Sequence, residues 1–383
     1  MMTKRNHEGQ TRRLPFLAIV VVMAMALPSP QLTASAFAAA SPKAHVRHTY
    51  SGVPTHANPT KNDVSDSDDP VVREIAVQAL GNSNGSVLAV DPSTGRILTV
   101  VNQKMVFSAG FEPCSTIKPV IALAGLQEGI ITRDTMINVG RRRYMDLTEA
   151  MAHSNNMFFE TVGERLGFER VSRYAHQLGL GELAGLNIPE EQAGNVPSAP
   201  PAYGGVARMS SFGGGIRMTP LQLASLVSTL ANGGTMYYLQ YPRTSDEREN
   251  FTPKIKRQLD IGSLLPDIQE GMLAAVLYGT ARSSNDPYGE QPLGKTGTCN
   301  DESLGGRLGW FVSYADQAHP KIVLVVLLRG GSRLVSGPHA ADVAGRIYRE
   351  LRGKNYFAKT EQSDGTVAAV VRQGQPNFPS TQR

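Results

Sequence analysis

The sequence predicts an α+β domain whose sheet is contributed by both ends of the chain, with a helical section between them. Near the front, Gly85-Ser-Val-Leu-Ala-Val-Asp-Pro-Ser-Thr-Gly-Arg-Ile-Leu-Thr-Val-Val101 sets two β-rich runs either side of a Pro-Ser-Thr-Gly turn, the pattern of a β-hairpin. The middle is apolar at helical spacing over Ser115–Leu126, Leu147–Leu166, Glu169–Leu178 and Pro220–Asn232. Strand character returns at Pro292–Cys299, Gly309–Tyr314 and Ile322–Arg329, and His339–Arg352 closes the domain as a helix. A sheet assembled this way is an α+β or mixed three-layer arrangement.

The remaining segments follow in chain order. In residues 1–40, Lys4, Arg5, Arg12 and Arg13 precede an apolar run from Leu14 to Leu27, and small residues continue to Ala40. This is the pattern of an export signal, either cleaved or kept as an N-terminal membrane anchor, so the expected location is the periplasm or cell envelope. Residues 41–71 are rich in His, Pro, Thr, Ser, Asn and Asp and read as a disordered linker. The compact domain is expected over 72–353, beginning with helical spacing at Ile75–Leu80. Tyr241–Arg257 is charged and turn-rich and reads as a surface loop, and 354–383 reads as a flexible tail. The 383 residues, 41% of them hydrophobic, accommodate one large core of about 250 to 300 residues.

Composition narrows the function classes. The net charge of +5 is spread along the chain, with Arg141-Arg142-Arg143 the longest basic run of the folded part, which reads as a solvated turn. That distribution argues against a nucleic-acid partner. The eight histidines form no HExxH-like pair and the two cysteines no metal cluster, so neither a metal nor a cofactor is expected. Cys114 and Cys299 read as two independent small core residues, with a disulfide as the alternative in an oxidising compartment.

The chemistry is carried by three short motifs. In Glu112-Pro113-Cys114-Ser115-Thr116-Ile117-Lys118-Pro119, a helix starting at Ser115 puts Lys118 one turn on and on the same face, within reach of the serine hydroxyl. A serine attacks only when a base takes its proton, so Lys118 needs a pKa lowered by burial and a neighbouring cation. Lys295-Thr296-Gly297-Thr298 supplies that cation on a strand where glycine permits close approach, and its hydroxyls suit a substrate carboxylate. In His153-Ser154-Asn155-Asn156, Ser154 suits a proton relay and Asn156 an amide partner, while His153 reads as a helix-start residue. Each motif alone recurs by chance, and Ser283-Ser284-Asn285 is such a decoy.

Together and in this order the three motifs resemble the signature of penicillin-binding proteins and serine β-lactamases. The resemblance spans roughly Val72–Leu351: Glu112–Pro119 is similar to EPGSTFKP, Gly185–Glu191 to the family's gidlpgE turn, Met218–Ala224 with Ala231–Gly234 to TPLQLA…aNgG, and Trp310–Tyr314 to WFVGY. The chain is thereby identified as a member of the high-molecular-mass penicillin-binding transpeptidases. The resemblance implies their β-lactamase-like fold, mainly antiparallel sheet flanked by helices plus a helical subdomain. It implies a D,D-transpeptidase acting on peptidoglycan stem peptides ending in D-Ala-D-Ala, with β-lactam antibiotics as covalent inhibitors and other cell-wall synthesis proteins as candidate partners. By it, Ser115 is the nucleophile, Lys118 its base and Ser154 the relay, with the amides of Ser115 and Thr298 forming the oxyanion hole. Lys295, Thr296 and Thr298 then hold the terminal carboxylate, with Gly297 lining the site and Asn156 binding the substrate amide. Trp310 reads as a wall or packing residue. The family's glycine before the nucleophile is replaced here by Cys114. A D,D-carboxypeptidase, a serine β-lactamase and a non-turning sensor or scaffold are the competing readings.

Overall fold

The computed structural model describes residues 52–107, 110–289, 291–301, 305–315 and 319–357. The expected export signal, the start of the expected linker and most of the expected tail lie outside these residues.

Asp69 opens α1 (Pro70–Leu80) by accepting from the main-chain N–H groups of Val71 and Val72, and Gly81, at φ +57°, ends it. The expected hairpin follows as β1 (Gly85–Val90) and β2 (Ile97–Val101), then a short α2 (Gln103–Phe107). A 3₁₀ turn, Cys114–Ile117, runs into α3 (Lys118–Gln127). The middle continues with a ribbon of β3 (Ile137–Asn138) and β4 (Tyr144–Met145), and then α4 (Leu147–Ala152), α5 (Asn156–Leu166), α6 (Phe168–Gln177), α7 (Gly205–Phe212) and α8 (Pro220–Ala231). After β5 (Thr235–Tyr237), α9 (Ser245–Glu249), β6 (Ile255–Gln258) and α10 (Leu265–Leu277), the chain returns to the main sheet. There it forms β7 (Leu293–Asn300), β8 (Arg307–Ala315) and β9 (Ile322–Gly330) before α11 (Gly337–Gly353).

The main sheet runs β2-β1-β9-β8-β7, every neighbouring pair antiparallel. The unbroken apolar run of β9 has a simple cause, because side chains alternate faces and both faces are covered. Val323, Val325 and Leu327 join the cluster shared with α3 and α8, whereas Ile322, Leu324, Val326 and Leu328 join the one shared with α1 and α11. Each such buried side chain contributes about 1.5–3 kcal/mol. All of α8 is buried, including its polar residues Gln222, Ser225, Ser228 and Thr229; Thr229 donates its hydroxyl to the carbonyl of Ser225 at 2.8 Å, and a Thr219–Gln222 capping box fixes where the helix begins.

Three expectations change. The stretch assigned to a linker is, from Gly52 on, fastened to the domain. Asp63 accepts from Arg73 at 2.8 Å and from the amides of Asn102 and Gln103, while buried Asp68 accepts from Thr99 and Tyr241 at 2.5 Å each. Composition signalled disorder by counting apolar residues, but this attachment is made by carboxylates whose partners lie far away in sequence. Tyr241–Arg257 is also more than a surface loop: Tyr241 is 2% exposed, α9 is held by a Thr244–Glu247 capping box, and β6 pairs with β5. At the C-terminal edge, Tyr356 donates to Asp69 at 3.0 Å, so the tail's first residues pack on the domain.

Candidate active site

The helical pattern over Leu147–Leu166 is broken where the site needs it broken. Ser154 takes φ +53°, and the N–H groups of Ser154 and Asn155 return to the carbonyls of Met151 and Ala150, closing α4 in a Schellman turn. Asn155 then caps α5 through its Oδ1 to the N–H of Phe158 at 3.0 Å. The turn brings Ser154 and the first residue of α5, Asn156, to Lys118. Gly271 and Gly279, where a Cβ would meet Met151 Cβ and Ala152 O at 2.6 and 2.2 Å, let α10 and the turn after it lie against α4.

Lys118 is wholly buried. Its Nζ lies 3.0 Å from Ser115 Oγ, 3.0 Å from Ser154 Oγ, 2.6 Å from the Ser154 carbonyl and 2.7 Å from Asn156 Oδ1. Lys295, also wholly buried, donates to the same Ser154 Oγ at 2.8 Å and to its neighbour's carbonyl, Thr296 O, at 3.0 Å. Burial pushes the Lys118 ammonium well below the usual lysine range, the Lys295 cation adds to that, and Glu160 opposes it. Burial lowers Lys295 to about 7. One hydroxyl therefore bridges two lysines, the first of them against the hydroxyl of Ser115.

β7 is an edge strand, and its Lys295 and Gly297 meet this cluster, the first at Ser154 and the second at the nucleophile turn. Gly297 is needed there, since a Cβ would meet Pro113 O, Cys114 Cβ and Thr116 Cγ2 at 3.1–3.2 Å. Thr296 Oγ1 lies 2.6 Å from Thr280 Oγ1, and Thr298 Oγ1 accepts from the N–H of Gly337 at 2.8 Å. The chain thus brings together Ser115, Lys118, Ser154, Asn156, Lys295 and the Thr296–Thr298 strand. The decoy serines are occupied elsewhere, Ser283 on the carbonyl of Pro338 and Ser284 on that of Ala281. His153 contacts Glu149 and Tyr278, and Trp310 is buried with its indole N–H on the carbonyl of Glu112 at 3.0 Å, a packing role.

The sequence model of the penicillin-binding protein transpeptidase domain matches residues 85–349. The chain belongs to the penicillin-binding protein transpeptidase family. Among its relatives, the peptidoglycan D,D-transpeptidase MrdA of Acinetobacter baumannii is 24% identical over 83% of this chain and 59% of its own length. Stage V sporulation protein D of Bacillus subtilis is 26% identical over 68% of this chain and 44% of its own. The chain thus spans about half the length of these relatives. The transpeptidase domain of penicillin-binding protein 3 from Burkholderia pseudomallei superposes with a TM-score of 0.66 at 20% identity, covering 75% of this chain and 94% of that one.

Within that family fold, one expectation about the site is reversed. Cys114 and Cys299 are not independent core residues; they form a disulfide with 5.6 Å between their Cα atoms, across 185 residues of sequence. The pairing was hidden because it depends on β7 lying against the nucleophile turn. Cys114 takes φ +51°, a left-handed conformation that costs a non-glycine residue roughly 1–2 kcal/mol. Closing so long a loop restricts the unfolded chain by about 5 kcal/mol in the chain-entropy model, which more than offsets that strain. Sequence reasoning also passed over Glu160 and Thr280. Glu160 lies one helical turn beyond Asn156 and accepts from Ser211 at 3.0 Å, a signal that helical spacing carries. Thr280 belongs to no motif and is brought in only by the fold.

Proposed function

We propose that this chain is a serine D,D-transpeptidase that acylates Ser115 with peptidoglycan stem peptides ending in D-Ala-D-Ala. The observation that supports it most is the contact of buried Lys118 Nζ with Ser115 Oγ at 3.0 Å, alongside a second buried lysine one hydroxyl away.

In this reading neutral Lys118 takes the proton of Ser115 as Oγ bonds to the penultimate D-Ala carbonyl carbon. The amides of Ser115 and Thr298 receive the oxyanion. As the carbon–nitrogen bond breaks, the proton passes from Lys118 through Ser154 Oγ to the departing D-Ala amine. Asn156 holds the peptide amide, and Lys295, Thr296 and Thr298 hold the terminal carboxylate, whose charge favours the protonated form of Lys295. An acceptor amine then attacks the acyl carbon, and Ser115 leaves with its proton restored. Water as acceptor gives the carboxypeptidase variant. Among the described residues no carboxylate lies within hydrogen-bond reach of Ser115 or Lys118, which favours a long-lived penicilloyl-enzyme over rapid β-lactam hydrolysis.

The reaction belongs outside the cytoplasmic membrane, and residues 1–40 are proposed to direct export there, with the disulfide in keeping with an oxidising compartment. Intact-mass measurement of the full chain with a penicillin, and then with a D-Ala-D-Ala peptide, tests the proposal. A slow-releasing adduct at Ser115 together with peptide turnover is expected. No adduct, or one that persists in Ser115→Ala, leaves only a scaffold role.

A further inference from the structure

The disulfide is the one covalent link in this chain between the two segments that flank the reacting serine. Cys114 directly precedes Ser115 and Cys299 directly follows Thr298, so the two bridged residues adjoin both proposed oxyanion donors. We propose that the Cys114–Cys299 disulfide is a positioning element for acylation, holding the nucleophile turn in its left-handed conformation against the end of β7. The proposal rests on Ser115 being the acylated nucleophile.

Three observations converge on it. Cys114 sits at φ +51°, a conformation that glycine adopts freely and that a residue with a Cβ adopts only under constraint. The bridge supplies a constraint, since its other end is fixed in a ladder: Cys299 pairs with Leu308 and Thr298 with Gly309. Two other contacts at this junction are the packing of Gly297 against Pro113, Cys114 and Thr116, and the hydrogen bond from the Trp310 indole N–H to the carbonyl of Glu112 at 3.0 Å; both hold the segment near the sheet, and neither fixes the backbone at Cys114 itself. Without the bridge, relief of the Cys114 backbone rotates the Ser115 amide and hydroxyl together, because both follow from the same turn.

The link can also be cut chemically. Cys114 is completely buried but Cys299 is partly exposed at the rim. A small dithiol attacks Cys299 Sγ, the S–S bond breaks, and Cys114 leaves as a thiolate that takes a proton. The second thiol of the reagent then resolves the mixed disulfide, giving two protein thiols and oxidised dithiol.

The test follows acylation of the full chain by a penicillin under oxidising conditions and in dithiothreitol, with thiol counts confirming each state. Noncovalent affinity and the acylation rate constant are separated by varying penicillin concentration. Removing a single oxyanion donor costs about 10²–10³-fold in rate, and loss of its alignment is expected to cost at least tenfold, in the rate constant rather than in the affinity. Cys114→Ala/Cys299→Ala is expected to be slow in both conditions. Cys114→Gly/Cys299→Ala, whose glycine accepts the left-handed turn without a bridge, is expected to recover to within about threefold of the oxidised protein and to ignore dithiothreitol. A reduced wild-type protein that acylates at the oxidised rate overturns the proposal, as does an alanine pair as fast as the glycine pair. Circular dichroism of the glycine pair separates misfolding from misalignment, because a folded glycine pair that stays slow also counts against it. If the oxidised wild type forms no Ser115 adduct at all, the transpeptidase reading itself fails, and this inference with it.

Discussion

Ser154 combines two properties that substitution can pull apart, a hydroxyl shared by two lysines and a backbone in left-handed space. Its Oγ lies 3.0 Å from Lys118 Nζ and 2.8 Å from Lys295 Nζ. A hydrogen bond to a charged lysine contributes about 1.5–3 kcal/mol and one to a neutral amine about 0.5–1.5 kcal/mol, but both lysines keep other oxygens, so Ser154→Ala is expected to cost about 2 kcal/mol in total. Ser154→Gly loses the same hydroxyl while relieving φ +53°. The left-handed penalty of a Cβ, roughly 1–2 kcal/mol, exceeds the extra unfolded-state entropy of glycine, about 0.4–1 kcal/mol. The glycine variant should therefore be the more stable of the two by about 0.5–1 kcal/mol. Both should acylate about 10²–10⁴-fold more slowly than wild type, since both lack the relay. Urea unfolding gives the stability difference, and stopped-flow with a chromogenic penicillin gives the rates. Alanine more stable than glycine refutes the backbone argument, and wild-type acylation in either variant refutes the relay.

The lysine pair predicts a bell-shaped pH dependence of acylation efficiency. The acid limb rises as Lys118, lowered by burial and by Lys295, loses its proton, and the alkaline limb falls as Lys295 deprotonates near 7 in the free protein. A carboxylate bound at Lys295 should move that alkaline limb upward in kcat relative to kcat/KM, and an unmoved limb argues against Lys295 as the carboxylate partner. Stability should respond with its own sign. Lys295 is depressed when folded, so the unfolded chain binds the extra proton and stability gains from this group as pH rises from about 7 towards 10.5. Lys295→Met should flatten that rise and raise stability at pH 7 while abolishing acylation, measured by urea midpoints across pH. Far from the site, Tyr241→Phe removes the donor to buried Asp68 and should cost about 1.5–3 kcal/mol with the acylation rate unchanged at 25 °C; an unchanged melting temperature would falsify the role given to this contact.

Much of the fold could be read from the chain because its cues are local. The Pro-Ser-Thr-Gly turn announced the β1–β2 hairpin, and the β-rich runs after residue 292 announced β7, β8 and β9. The nucleophile motif, the Ser154–Asn156 turn and the Lys295 strand were legible as residue types in order, since acid–base chemistry on a serine restricts what can serve. Other features depended on neighbours that only folding provides. The split of the Leu147–Leu166 helix arises from a left-handed Ser154 with no glycine to mark it. The fastening of residues 52–71 depends on Arg73, Thr99 and Tyr241 meeting two carboxylates, and neither composition nor periodicity registers such long-range pairing. The same holds for Cys114 and Cys299. The sequence by itself determined which groups could do the chemistry, whereas the tertiary structure decided their distances, their burial and hence their protonation, because these depend on contacts between residues far apart in the chain, such as Cys114 with Cys299 across 185 positions and Glu112 with Trp310 across 198.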